Sequence, residues 1–356
     1  MKLHGKESKH EYITDTLRQE ILTGIFAPDS RMPTHSALAQ RFQVGIGTIT
    51  QVLRRLNREG FVTAKPKVGT MVCDKLPHLN NIALVLPQAK SSIAHWSKYY
   101  AALANVATSL QAELGRPIRI LEGVDDPHGE ARRDLTELVR THQVAGVFFA
   151  VVPYLLHGTP ILEEPGVPRV AFMQPGFSPG IDTQISGPER FIALALDYLA
   201  SRGRRRIAVL SNPDFIRLQD TPIQPLLAAH SMVCPPCWDI EVNLDSPESA
   251  KNIMRLMMRP GQVDRPDGLI IANDNLIDDA IAGLVAEGIK VPDELEIAAH
   301  CNFPWPPVKT LPIKRLGLDV TALLRRAIDL IDRKRAGKKI PAIVHIDAVW
   351  EDDAER

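Results

Sequence analysis

Long apolar runs are missing from this chain. No stretch of about 18 apolar residues occurs, so no segment has the composition of a membrane-spanning helix, and no membrane partner is expected. Cysteine is scarce as well. Four in 356 residues (Cys73, Cys234, Cys237 and Cys301) do not make a disulfide framework. Cys234 and Cys237 form a Cys-x-x-Cys with His230 nearby, but a zinc centre needs four soft ligands and no second pair stands at a suitable spacing. The motif lies in a proline-rich stretch between a helix and a strand. A redox cysteine would instead sit at a helix N-terminus. These two cysteines read as incidental. Glycine-rich phosphate loops, H-E-x-x-H and G-x-S-x-G are also absent in any supporting context. His300 and Cys301 are adjacent, but neighbours on a strand point to opposite sides and cannot act as a nucleophile pair. An enzyme is not expected, nor is a metal or cofactor. The N-terminal MKLHGKESKHEY is polar and lacks the apolar core of a signal peptide, so the expected setting is cytoplasmic.

Net charge is absent too, with 42 Lys+Arg against 42 Asp+Glu. The total hides an asymmetry: residues 1 to 77 carry 12 basic and 7 acidic side chains, the remainder 30 and 35. A basic end on an acidic body suggests one module that meets an anion and one that does not. The run RGRRR at 202 to 206 reads as a solvated helix end, where arginine is favoured. The length calls for two or three compact units, and 45% apolar with 24% charged residues is ordinary for a soluble protein.

Three small helices and a hairpin are legible in residues 1 to 75. Ser8-x-x-Glu11 is a capping box, followed by an apolar stripe at Tyr12, Ile13, Leu17, Ile21 and Leu22, and Gly24 ends the helix. Thr34 can cap a short second helix, THSALAQRF. In the third, Ile49, Val52, Leu53 and Leu56 follow i, i+3, i+4, i+7 and face the core. The opposite face shows Gly47, Thr50, Gln51, Arg54, Arg55 and Arg58. After Gly60, FVTA and TMV are short β-segments joined by KPKVG, with Lys65 and Lys67 able to reach a phosphate backbone. This is the layout of a winged helix-turn-helix, whose third helix enters the major groove of DNA. A small helical interaction domain with a solvated basic face would share the helices but has no need of the hairpin.

These residues resemble the GntR-type winged-helix domain over some sixty positions in order. The matches are Gly24, Pro33, Leu38, Ala39, Val44, Thr48, Leu53, Leu56, Glu59-Gly60, Gly69-Thr70 and Val72. The resemblance implies DNA contacts from Thr34 and His35, from Ile46, Gly47, Thr48, Thr50, Gln51 and Arg54, and from Lys65, Lys67, Gly69 and Thr70. The pattern also departs: where the family usually reads S-R-T-T-V-R, the chain has Gly45-Ile46-Gly47-Thr48-Ile49-Thr50. Two arginines that would read guanine are therefore replaced. Glutamine can pair with adenine, and Ile or a Thr methyl can touch thymine.

From Asn81 onward strands alternate with helices: IALVLP, YYAALANVATSLQAELG, RPIRILEG, ARRDLTELVRTH, AGVFFAVV and so on to LEIAAH. Such alternation means parallel α/β sheets, and so many units mean two lobes with ligand held between them. PDGLIIANDNLIDDAIAGLVAEGIKVPDELEIAAHCN and LALDYLASRGRRRIAVLS resemble the effector domains of LacI-type regulators and their periplasmic sugar-binding relatives. The expected fold is therefore α/β: an N-terminal winged helix-turn-helix (1–75), a short linker (76–80), and a two-lobed, parallel-sheet periplasmic-binding-protein-like type I domain (81–350). Lobe 1 is expected at about 81–178 and 308–334, lobe 2 at about 179–307 and 335–350. A GntR-type reader on a LacI-type sensor is an arabinose-repressor-like arrangement. The resemblance makes Asp274, with Asn273, the first effector contact and adds Asn302, Trp96, Ser97, Tyr99, Tyr100 and Arg217. Here too it departs: Cys301 stands where the family has an aspartate, and Arg217 is out of register.

The function expected is a ligand-responsive transcriptional regulator, a repressor that binds a palindromic double-stranded operator as a homodimer with a small polar effector such as a sugar in the cleft. The alternative is a small-molecule-binding protein without a transcriptional role. One outcome checks the reading of the third helix. Against a selected operator, swapping A·T pairs of a half-site should weaken binding most. A dominant dependence on one G·C pair that no other residue contacts would overturn it.

Overall fold

The computed structural model describes residues 9–354 apart from 59, 67, 75, 77–79, 93–95, 177, 214–222, 305–309 and 337. The head opens with α1 (Lys9–Leu22), α2 (His35–Phe42) and α3 (Ile46–Arg58), followed by β1 (Val62–Lys65) and β2 (Gly69–Val72). Ile13, Leu17 and Ile21, spaced by four, put one stripe of α1 against the core, while Tyr12 stays exposed. Ser8 of the expected capping box lies outside the described residues. Thr34 caps α2, its hydroxyl oxygen accepting from the Ala37 N–H at 3.2 Å, and Gln43 closes it in the left-handed region at φ 53°. Leu38, Ile49, Val52, Leu56 and Phe61 complete a core that excludes water. Arg18 lies in it, bonded to Asp15 at 2.6 Å with its guanidinium 5.8 Å from the Phe61 ring.

The two hairpin strands are antiparallel, pairing Val62 with Val72 and Lys65 with Gly69. A single antiparallel bridge between Arg31 and Met71 joins Ser30 to Met32 to the hairpin edge: Met32 N–H donates to the Thr70 carbonyl at 2.9 Å and Val72 N–H to the Ser30 carbonyl at 2.9 Å.

The body holds two six-stranded sheets. The first runs through β3 (Ile82–Leu86), β4 (Ile118–Glu122), β5 (Gly146–Phe149), β6 (Arg169–Phe172), β7 (Thr183–Glu189) and a late strand, Ile343–Asp347; all its pairings are parallel. The helices α4 (Lys98–Leu114), α5 (Glu130–Arg140) and the short α6 (Pro160–Glu163) belong to this lobe. After α7 (Phe191–Ser201) the second sheet collects β8 (Ile207–Ser211), β9 (Asp239–Glu241), β10 (Gly268–Ile271), β11 (Glu296–Phe303) and β12 (Lys314–Asp319) in parallel. Its helices include α8 (Ile223–Ala229), α9 (Ser249–Met258) and α10 (Ile277–Ala286). Then α11 (Val320–Arg335) returns to pack on the first sheet, followed by β13 (the Ile343–Asp347 strand). Finally β14 (Val349–Trp350) lies antiparallel to β12, and α12 (Glu351–Ala354) ends the described chain. β11 is buried along its whole length, as a strand covered on both faces must be.

The crossings between lobes differ from those expected. β7 belongs to the first sheet, so the chain crosses after residue 189 and not near 178; it returns after 319 and not near 307, and crosses last at 348 and not near 334. In each case the chain adds one more strand to the lobe it is leaving. β7 and β12 are largely buried and look alike in sequence, the late strand is a partly exposed edge strand, and for all three only pairing assigns the sheet.

Head and lobe 1 meet at α1. Gln19 Nε2 donates to His142 Nε2 at 2.5 Å, and the ring is almost wholly buried, 3.6 Å from Glu164 Oε1. Burial first, then the positive charges of Arg18, Arg335 and Arg169, lowers the His142 pKa to about 4. The neutral ring is the acceptor that Gln19 requires. Because the unfolded His titrates near 6.5, the unfolded state binds more protons between those values, and stability falls as pH drops from about 6.5 towards 4. The full effect is on the order of 3 kcal/mol. His142→Gln, which keeps a hydrogen-bonding group but cannot titrate, should flatten that limb of the pH–stability curve. Parallel curves for the two proteins would show that His142 does not carry it.

Candidate DNA-reading head and interlobe cleft

On the head, α3 turns Leu53, Val52, Ile49 and Leu56 inward, so the opposite face is solvent-facing by geometry. Ile46 begins it, 54% exposed. Gly47 and Gln51 are exposed and Thr48 is half-buried. Thr50 donates its hydroxyl to the Ile46 carbonyl at 2.9 Å, which leaves its methyl as the group available for contact. Arg54 is exposed one turn on. A Cβ at Gly45 or Gly47 would meet nothing within 4 Å, and neither residue has a left-handed φ. The fold thus makes no demand for glycine there, although glycine within a helix costs about 0.5–1 kcal/mol relative to alanine.

Thr34 is held as the α2 cap and His35 is its first residue, half-buried. On the hairpin Lys65 is exposed, Gly69 faces it at φ 111°, and Thr70 is half-buried with its carbonyl bound by Met32. Lys67 lies outside the described residues. The expected head residues therefore fall on the α2 start, the α3 face and the hairpin. Arg31, absent from the expected set, lies beside the hairpin with Nε 3.2 Å from where a Gly69 Cβ would stand.

In the body, the segments after β3 and β10 meet. Lys98 N–H, at the start of α4, donates to Asn275 Oδ1 at 3.0 Å, and Lys98 Nζ pairs with Asp278 at 2.6 Å. This contact sets Trp96 and Ser97 of lobe 1 opposite the Asn273–Asp274–Asn275 turn of lobe 2. Asp274 is 2% exposed and accepts from Asn302 Nδ2 at 2.9 Å, as a buried carboxylate must find donors. Asn273 Nδ2 donates to Asn212 Oδ1 at 3.0 Å, and its own Oδ1 accepts from both the backbone N–H and the side-chain amide of Asn275. The result is a chain of amides at the carboxyl ends of β8, β10 and β11. Ser211 Oγ beside it is buried with no hydrogen-bond partner among the described residues.

On lobe 1, Trp96 and Tyr100 stand 5.5 Å apart, Tyr100 and Tyr99 5.6 Å, and Tyr99 and Phe172 5.6 Å. Tyr99 donates its hydroxyl to the Ala150 carbonyl at 2.9 Å, so it braces the aromatic cluster. Burial raises its pKa well above the usual phenol value and lifts Tyr100 to about 12, with Asp125 adding to the latter. Both remain neutral donors at physiological pH. Asp125 is itself pushed up by burial, against the pull of Arg132. Arg217 lies outside the described residues.

Sequence reasoning missed Asn212, Asn275 and the Lys98–Asp278 pair. Asn212 had a local signal, a polar residue just past the buried strand IAVLS; Asn275 and Lys98 had none.

Cys234 is buried and its thiol is pushed up to about 11, Cys237 is exposed, and among the described residues no cluster of three metal-ligating side chains occurs. Burial lowers the His300 pKa and raises that of Cys301; His300 stacks edge-on to Phe191 at 5.3 Å. The RGRRR run is not merely solvated. Arg202 and Arg204 lie 3.4 and 3.7 Å from buried Glu296, which also accepts from Tyr198 at 2.5 Å, and Arg206 pairs with Asp267. Among the described residues no helix is long and apolar enough to cross a membrane.

The head carries the sequence pattern of a bacterial gntR-type regulatory module and the body that of a periplasmic-binding-protein-like domain. Residues 9–72 match the family of bacterial regulatory proteins, gntR family, and residues 196–348 match the periplasmic binding protein-like domain. Solved structures share the body's fold. One is a regulatory protein of the LacI family from Chloroflexus aggregans, with TM-score 0.60 and 16% identity over 76% of this chain and 96% of that one. Another is a LacI family transcriptional regulator from Lactobacillus casei with bound glucose, with TM-score 0.55 and 20% identity over 76% and 97%. The same Lactobacillus casei regulator with bound sucrose gives 0.55 and 19% over 76% and 98%. No curated protein matches the chain by sequence.

Because neither space nor backbone requires a glycine at 47, Gly47→Ala should leave the head folded and raise its stability by up to about 1 kcal/mol. Denaturant unfolding of the full chain reads this directly. A loss of stability would mean that α3 is not free on that face.

Proposed function

We propose that this regulator is a ligand-responsive repressor. Two chains pair through their bodies and present two α3 helices to a palindromic operator, with a small polar molecule, such as a sugar, held between the lobes. The observation that carries the ligand half is the Lys98–Asn275 contact, because it sets lobe 1's aromatic loop across from the buried Asp274–Asn302 pair. Aromatic faces opposite a carboxylate and amides suit a molecule with both apolar faces and hydroxyl edges. The relatives with glucose or sucrose bound favour the same class.

Ligand in the cleft adds contacts to both walls and favours the closed pairing of α4 with the Asn273–Asn275 turn. Lobe 1 also carries the α1 contact through His142, so the separation between lobes reaches the head. If ligand and DNA both bias this geometry, each changes the other's affinity by the same factor. The DNA half rests on the exposed face of α3, with Ile46, Gly47, Thr48, Thr50 and Gln51 towards the bases and Arg54 towards phosphate.

The test is calorimetry of the full chain against a panel of sugars, followed by Asp274→Ala. A measurable heat that disappears in the variant, with its melting midpoint retained, supports the assignment. A heat untouched by Asp274→Ala removes that residue from the site. Duplex binding measured with and without the sugar that gives heat should shift by the factor that DNA produces on the sugar.

A further inference from the structure

The wing sheet carries a pair of cations that the α3 reading does not use. Directly opposed residues of an antiparallel pair share a face, as do residues two apart along a strand. Arg31 bridges Met71, Met71 opposes Thr63, and Gly69 opposes Lys65, so Arg31, Lys65 and Gly69 lie on one face. It is the outer one, because Val62 and Val72 turn the other face into the head core. Arg31 reaches diagonally across to Gly69: its Nε and Nη2 lie 3.2 and 3.4 Å from the point a Cβ would occupy. A side chain at 69 would displace the guanidinium. Lys65 stands on the far side of the same bare glycine.

Both side chains are exposed, and neither forms an ion pair among the described residues. Two other head arginines are engaged: Arg18 with Asp15 and Arg41 with Glu20. Two like charges flanking a gap repel each other and are not arranged this way for stability. An anion between them turns the repulsion into a clamp, and the planar fork of Arg31 suits a phosphate.

We propose that Arg31 and Lys65, with Gly69 bare between them, bind one backbone phosphate of the DNA flanking the site read by α3. The clamp replaces, from the wing, part of the charge that Ile46 and Thr50 leave out of the helix. The proposal rests on the DNA-binding reading above and adds to it a residue outside α3 and the hairpin tip.

The experiment measures binding of the full chain to a labelled mixed-sequence duplex over a series of salt concentrations. A phosphate contact is sequence-independent, so no operator is needed. Arg31→Met keeps the alkyl stem over Gly69 and removes the charge; Arg31→Lys restores the charge. Arg31→Met should weaken binding severalfold at low salt and lower the slope of log affinity against log salt by about 1, as should Lys65→Ala. Arg31→Lys should recover most of the loss, and melting midpoints should stay at the parent value. If the parent binds and Arg31→Met binds with the same slope, the clamp is overturned while the DNA reading stands. If the parent binds no duplex at low salt, the DNA reading falls and the clamp falls with it. Should Arg31→Met lower the melting midpoint, Arg31→Gln with an unchanged midpoint carries the same comparison, and an unchanged slope there overturns the clamp.

Discussion

Parallel pairing of buried strands constrains everything else in this molecule. A parallel strand must be followed by a crossover that returns the chain to the same end, so every strand of a sheet delivers its next turn to one edge. In lobe 1 that edge carries the Trp96–Ser97 loop, Asp125 and the residues after Phe172. In lobe 2 it carries Asn212, Asn273–Asp274 and Asn302. The two edges face each other where Lys98 meets Asn275. The polar groups of the cleft are thus grouped by backbone polarity, since neighbours in the cleft such as Asp274 and Asn302 stand 28 residues apart in sequence.

That arrangement also explains the internal support of the site. A carboxylate 2% exposed needs hydrogen-bond donors, and Asn302 supplies one from the adjacent strand. Each amide in the chain Asn212–Asn273–Asn275 fixes the next, which braces the turn. Tyr99 does the same on the opposite wall by tying its hydroxyl to Ala150, so the exposed part of Tyr100 and Trp96 has a fixed backing. The head differs on its outer face, where a Cβ at Gly45 or Gly47 would meet nothing within 4 Å.

His142 joins the two. A buried neutral imidazole accepting from Gln19 ties α1 of the head to lobe 1. The two modules are therefore not independent beads on the short stretch between Val72 and Ile82.

The sequence by itself determined the local elements and the identity of the modules. The i, i+3, i+4, i+7 stripe of α3, the hairpin after Gly60 and the alternation of strand and helix beyond Asn81 are periodicities that any one segment carries in full. It also placed Asp274 at a strand end and showed two arginines missing from positions 46 and 50. Tertiary structure alone decided which sheet each of three strands joined: Thr183–Glu189 and Ile343–Asp347 went to the first and Lys314–Asp319 to the second, shifting all three crossings. It alone set Lys98 against Asn275, Gln19 against His142 and Arg31 over Gly69. The reason is one of range. Hydrophobic period is written in consecutive residues, whereas strand partnership and the meeting of polar groups depend on segments distant in the chain, whose only local mark is an ordinary apolar or polar residue.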